Sequence, residues 1–198
     1  DISADFSWFI YSSGDDVRLL TPRDNGKTWQ TSIITQSVQP IRYRKAVFYG
    51  NDGLFICTSA SGMSAETLYI YTTMDGGITW IKSGSTMINQ PVQNVSFVTT
   101  SLGFVSTRES LFYTNNGGRS FKESVLSIPE NYQTGGIDLF QSPNEVTQIS
   151  ANTLETKFYL LKKGPIDAGK MFACLFRSTD NGETWQFVQQ LSQVEQGD

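Results

Sequence analysis

The sequence predicts an all-β fold of repeated antiparallel sheets, and three observations carry the prediction. A short segment recurs four times along the 198 residues. Each copy stands between strand-like runs rich in β-branched and aromatic residues. No helical period of useful length appears, and an aromatic content of 13% suits sheets that stack face to face.

The four copies are Asp24-Asn25-Gly26-Lys27-Thr28-Trp29, Thr73-Met74-Asp75-Gly76-Gly77-Ile78-Thr79-Trp80, Thr114-Asn115-Asn116-Gly117-Gly118-Arg119-Ser120-Phe121 and Ser178-Thr179-Asp180-Asn181-Gly182-Glu183-Thr184-Trp185. Each reads as the turn of a hairpin. An ionised Asp24, Asp75 or Asp180 accepts backbone N–H groups one to three residues ahead, and Gly26, Gly77, Gly118 and Gly182 take a positive φ that other residues resist. Thr28, Thr79, Ser120 and Thr184 offer a hydroxyl to the same turn. Trp29, Trp80, Phe121 and Trp185 then open the next strand with a large ring, which is expected to pack between neighbouring sheets. Pro22 replaces the first hydroxyl residue of the first copy, and Asn116 replaces the acid of the third, where its carbonyl still accepts a hydrogen bond.

The elements follow in order. The first unit has the run Trp8 to Ser12 but only Asp1 to Ser7 before it, so its innermost strand is short or missing. The second unit reads as Arg42 to Tyr49, Leu54 to Ser59, Thr67 to Thr72 and Trp80 to Ser83. The third reads as Val92 to Thr99, Leu102 to Thr107, Ser110 to Thr114 and Ser120 to Leu126. The fourth contains Lys157 to Lys163 and Met171 to Ser178, joined by the loop Gly164-Pro165-Ile166-Asp167-Ala168-Gly169. Ring-to-ring spacings of roughly 40 to 65 residues bracket a four-stranded propeller blade. Residues 1–198 are therefore read as one β-propeller domain of four-stranded antiparallel blades. Four blades closed into a compact ring is the favoured arrangement, because an open arc exposes sheet faces; membership of a larger propeller or multidomain protein is the alternative.

The four segments resemble the Asp-box, the Ser/Thr-x-Asp-x-Gly-x-Thr-Trp signature of sialidase-like and related BNR-repeat β-propellers. The resemblance implies a propeller fold and a secreted, periplasmic or cell-surface location. It does not extend to sialidase catalysis. Those enzymes carry a Phe/Tyr-Arg-Ile-Pro segment ahead of the boxes, whereas here the nearest string is Pro40-Ile41-Arg42-Tyr43-Arg44-Lys45, in another order and after the first box. Related Asp-box propellers that act as assembly factors or receptor ectodomains imply binding of polypeptide without chemistry.

Composition narrows the chemistry. A formal charge of −4 argues against a nucleic-acid footprint, and no apolar run approaches the length of a membrane span. The start Asp1-Ile2-Ser3-Ala4-Asp5 does not read as a signal peptide, so an exported protein would be represented here in its mature or trimmed form. With no histidine, histidine-based triads and the usual zinc sites are excluded. No phosphate-binding glycine loop is present and no cofactor is expected. Cys57 and Cys174, in the second and fourth units, read as separate buried thiols rather than a disulfide.

Carboxylate chemistry remains, so a glycoside hydrolase or its remnant is the alternative function. Its candidates are Asp5, Asp15, Asp16, Asp52, Glu66, Glu109, Glu130, Asp138, Glu145, Glu155 and Asp167, of which spacing singles out no pair. The favoured reading is non-catalytic recognition of a protein or glycan. Arg42, Tyr43 and Arg44 are binding candidates because Arg42 and Arg44 share a face of an alternating strand and could grip an anion; an outer strand with solvated side chains is the plainer account. Trp8 is a candidate sugar platform or a core residue of the first blade. Tyr132, in the polar loop Glu130-Asn131-Tyr132-Gln133-Thr134-Gly135-Gly136, is a candidate rim residue.

Overall fold

The computed structural model describes residues 8–36, 41–60, 65–107, 110–134 and 146–194. Among these, the regular structure is β-strand apart from one 3-10 turn at Asp24–Gly26, and no helix is long and apolar enough to cross a membrane. The chain divides into two compact units, Asp1–Met87 and Ile88–Asp198.

The first unit holds two sheets. One contains β1 (Phe9–Ser13), β2 (Asp16–Arg23) and β3 (Thr28–Gln36); the other contains β4 (Ile41–Tyr49), β5 (Asp52–Ala60), β6 (Glu66–Thr73) and β7 (Ile81–Ile88). Strand order follows sequence order in both, the meander of a propeller blade. In the first sheet, Ile10 pairs with Leu19 and Ser12 with Val17, which puts Val17 and Leu19 on one face with Ile34. That face packs on Ala46, Phe55, Cys57 and Tyr71 of the second sheet. Antiparallel pairing fixes this choice, since directly opposed side chains share a face.

The second unit holds a four-stranded sheet of β8 (Asn94–Phe97), β9 (Gly103–Ser106), β10 (Leu111–Thr114) and β11 (Lys122–Glu123). Beside it lies a six-stranded sheet of β12 (Val125–Ser127), β13 (Tyr132–Gln133), β14 (Thr147–Ser150), β15 (Thr153–Lys162), β16 (Met171–Ser178) and β17 (Thr184–Gln193). Phe104, Leu111 and Tyr113 of the former bury against Leu154, Phe158, Cys174, Phe176 and Trp185 of the latter.

Two expectations are corrected here. Ser120 to Leu126 is not one strand: it breaks at buried Ser124, after which β12 runs parallel to β17, with Val125 opposite Thr184. The Ser124 amide still donates to Leu111 O at 2.8 Å, while the Val125 amide donates to Glu183 O at 2.9 Å, so one residue switches partners between sheets. The fourth sheet consequently has six strands where four were expected, gaining β12 and the short β13.

The recurrent turns obey one rule. Gly26, Gly77, Gly118 and Gly182 have φ of 85°, 85°, 82° and 86°, the left-handed region where only glycine is unstrained. In the last three copies the leading hydroxyl is a hub. Thr73 Oγ1 donates to Asp75 Oδ1 at 2.7 Å and accepts from the Gly77 amide at 2.9 Å. Thr114 and Ser178 repeat both bonds with Asn116 and Gly118 and with Asp180 and Gly182. Pro22 has no hydroxyl, and the first copy tightens into the 3-10 turn, with Asp24 at φ 49°. There the Asp24 carboxylate takes the Thr28 hydroxyl at 3.0 Å rather than the backbone amides the sequence predicted.

Two of these turns also lock one sheet to the next. Ser32 Oγ of β3 donates to Gly77 O at 2.5 Å, and Ser124 Oγ donates to Gly182 O at 2.6 Å. The indoles of Trp80 and Trp185 donate to the same two carbonyls at 3.1 Å. A Cβ on Gly77 would lie 2.6 Å from Leu19 Cδ2, and one on Gly182 would lie 2.1 Å from Phe104 Cε1. Trp185 is fully buried with its ring 5.8 Å from Phe104, and half-buried Trp80 packs on Phe48 and Phe55. Trp29 departs from the expected packing: it is 46% exposed and rests on Phe9 at 5.9 Å.

Gly182→Ala is expected to destabilise the protein by about 3 kcal/mol or more, combining left-handed strain with overpacking against Phe104. Gly26→Ala carries the strain alone, since a Cβ there meets nothing within 4 Å, and is expected to cost about 1 kcal/mol. Urea unfolding of the two variants measures the difference; equal losses would refute the sheet-locking account.

Candidate functional site

The box carboxylates are held by their own turns. Asp75 accepts the Thr79 hydroxyl at 2.6 Å, the Thr79 amide at 2.9 Å, the Thr73 hydroxyl and the Ile78 amide. These bonds, the Thr79 hydroxyl foremost, hold its carboxyl far below the usual carboxylate range. At Asp180 burial pushes the pKa upward, but the hydroxyl and amide of Thr184 and the hydroxyl of Ser178 outweigh it and leave the group lowered. A carboxylate fixed in its ionised form and surrounded by donors of its own loop is a poor proton donor.

The candidate site instead lies within the second unit. A cleft of about 510 Å³ is lined by Asn94 of β8, Thr147 and Ile149 of β14, Glu155, Thr156 and Lys157 of β15, and Leu175 of β16. Its geometry follows from strand pairing. β15 alternates, so buried Leu154, Thr156 and Phe158 point to the core while Glu155 and Lys157 point away from it. Glu155 stands opposite Arg177, and Lys157 opposite Leu175, on β16. Arg177 Nε and Nη2 both reach Glu155 Oε1, at 2.9 and 2.7 Å, which fixes the carboxylate and leaves Oε2 without a partner among the described residues. The Ser96 hydroxyl, bonded to the Val146 amide at 3.2 Å, ties the start of β14 to β8. The cleft therefore offers one oriented carboxylate, one ammonium, an amide and two threonines, of which Thr147 is exposed and Thr156 buried, beside two aliphatic side chains.

The binding residues predicted from sequence are not brought together. The register of β4 slips between Ile41 and Tyr43, so the alternation expected to align Arg42 with Arg44 is broken there. Arg42 is bound through Nε and Nη2 to the carboxylate of buried Glu66, whereas Arg44 Nη1 reaches Ser12 Oγ at 3.3 Å. Tyr43 is half-buried, its amide donating to Thr58 Oγ1 at 3.2 Å. Trp8 is a core residue, half-buried with its ring 5.9 Å from Phe48. Tyr132 is not an exposed loop residue: it is buried in β13 opposite Lys162, its hydroxyl donating to Gln190 and accepting from Lys162 Nζ at 2.9 Å. Of the carboxylates considered as catalysts, Asp5, Glu109, Asp138 and Glu145 lie outside the described residues. Of the others, all described, Glu155 alone lines the cleft. Its alternation with apolar neighbours was readable in the sequence, but nothing there signalled that Asn94 and Thr147 stand beside it.

The comparisons with known proteins agree with the turns. The BNR/Asp-box repeat family matches residues 176–187, the stretch that holds the fourth box, and the chain carries that repeat. No curated protein matches the sequence. Among solved structures the chain is similar to the endo-arabinase from Bacteroides thetaiotaomicron VPI-5482, at 10% identity and a TM-score of 0.46, over 97% of this chain and 78% of that one. It is also similar to the N-terminal domain of Nup159, at 15% identity and a TM-score of 0.39, over 92% and 47% of the two chains. A third is Bacteroides ovatus xyloglucan PUL GH43B, at 12% identity and a TM-score of 0.39, over 93% and 40%. The chain spans less than half the length of the last two.

Two measurements probe these electrostatics. The lowered carboxyls of Asp75 and Asp180 contribute stability that is complete above the unfolded-state pKa of about 4 and is lost as pH falls towards their folded values. Urea midpoints are thus expected to decline below about pH 4, and Asp75→Asn with Asp180→Asn to flatten that decline. Cys57 and Cys174 are free and buried, and burial pushes their thiols up to about 12 and about 11. Neither is expected to react with a disulfide reagent at pH 8 until denaturant is added, and rapid labelling of the native protein would contradict this burial.

Proposed function

We propose that the protein is a non-catalytic recognition module whose cleft binds a hydroxyl-rich ligand, most simply a glycan segment. The observation that carries this reading is the immobilised Glu155. Held at Oε1 by Arg177, it presents Oε2 as an acceptor, while Lys157 and Thr147 supply donors and Ile149 and Leu175 an apolar edge. Mixed donors and acceptors around a modest apolar surface suit sugar hydroxyls and ring carbons.

Binding is favoured over hydrolysis because glycoside cleavage takes two carboxyl groups roughly 5 to 9.5 Å apart. Among the described residues that line the cleft, Glu155 is the only one with a carboxylate. The box acids are engaged by their turns. We place the module outside the cytoplasm, a reading supported by its low content of charged residues, 17%.

The test is a glycan array followed by calorimetry on any hit, with aryl glycosides assayed in parallel. Retention that falls at least tenfold in Glu155→Gln and Lys157→Ala, with no turnover, is the expected result. Turnover abolished by Glu155→Gln would instead establish the enzyme reading, and binding unaffected by both substitutions would move the site elsewhere.

A further inference from the structure

We propose that the cleft of the second unit takes a saccharide bearing one negatively charged substituent, a carboxylate or a sulfate ester, and that Lys157 holds that group. This rests on the reading of the cleft as a glycan site and adds the charge of the ligand to it. Strand register lays out the face concerned. One row runs through Thr147, Glu155, Arg177 and Gln186 across β14, β15, β16 and β17, and a second runs through Lys157, Leu175 and Gln189 across β15, β16 and β17. Glu155, Arg177 and Lys157 are the charged residues of these two rows.

Their charges do not balance. Glu155 and Arg177 neutralise each other, since Arg177 Nε and Nη2 lie 2.9 and 2.7 Å from Glu155 Oε1. Lys157 has no acceptor or counter-charge among the described residues. An unpaired lysine on open surface is ordinary, because water satisfies it. Lys157 differs in lining a cleft, opposite Leu175 and in the company of Ile149, where an incoming ligand displaces that water. A neutral sugar offers the ammonium hydroxyl oxygens alone, whereas an anion replaces the lost water with a charge-assisted hydrogen bond.

The spacing and the number of charges narrow the ligand further. Glu155 and Lys157 rise from one face of β15 two residues apart, about 6.6 Å along the strand, the scale of a single pyranose ring. The free Oε2 of Glu155 belongs to a carboxylate that accepts and does not donate, so it selects a hydroxyl and repels a second anion at its end. One lysine is a compact point charge suited to a monoanion. A phosphomonoester, at about −2, leaves charge uncompensated beside Glu155. The chain carries −4 overall, and the attraction works locally, since charges beyond about 8 Å are largely screened at physiological salt.

Calorimetry on the whole chain at low salt tests this with two matched pairs of probes: an oligogalacturonate against its methyl ester, and a monosulfated oligosaccharide against its unsulfated form. The charged member of a pair is expected to bind roughly tenfold more tightly, a margin that shrinks at about 0.5 M salt. A preference in the uronate pair alone supports a carboxylate, and one in the sulfate pair alone supports a sulfate ester. Lys157→Gln keeps a donor and loses the charge, and is expected to erase the preference. Glu155→Gln is expected to weaken both members of a pair and to leave the preference standing, because it subtracts a negative charge. Charged and uncharged members bound equally by the native chain overturn the proposal and leave the glycan reading intact, as does a preference that survives Lys157→Gln. Failure of all four probes to bind overturns both.

Discussion

The structure depends on the closeness with which a box glycine lets one sheet approach the next. At Gly77 and Gly182 the absent Cβ is replaced by Leu19 Cδ2 and Phe104 Cε1, and the carbonyl of the same residue receives both a tryptophan indole and a serine hydroxyl from the preceding sheet. The positive φ that makes glycine necessary for the turn also aims that carbonyl at the neighbour. Turn formation and sheet packing are thus one event, and a segment that looks like a local hairpin signal carries tertiary information.

The same arrangement makes the conspicuous acids poor proton donors. Asp75 and Asp180 are surrounded by donors from their own loops, so they stay ionised and occupied. Residues outside the repeat are not engaged in this way, and Glu155 is one: it lies mid-strand, outside any box, and is oriented by Arg177 across a strand pair.

Where the repeat degrades, the fold records it. Pro22 removes the hub hydroxyl, the first turn winds into a 3-10 form, and Trp29 remains exposed with Gly26 uncovered. Asn116, by contrast, keeps an amide oxygen that accepts from Thr114 and from the Ser120 amide, so the third turn retains its shape without a charge. Losing the hydroxyl has more consequence than losing the acid, because the hydroxyl bonds both the acid and the glycine amide.

Much of the fold was legible along the chain. Turns, most strands, the all-β class and the burial of both thiols follow from local pattern, because hairpins are made by neighbours in sequence. The site was not legible in this way: Arg42 and Arg44 were parted by a one-residue slip, Tyr132 was drawn into a sheet by Lys162, and β12 left its own repeat for β17. Those outcomes are set by pairing between distant segments, which local propensity does not encode. The sequence by itself determined that Gly26, Gly77, Gly118 and Gly182 turn and that Asp75 and Asp180 brace the loops. Only tertiary structure decided that Asn94, Thr147 and Glu155 share a cleft and that Phe9 and Trp29 face outward, since register and sheet stacking, rather than composition, choose which side chains meet.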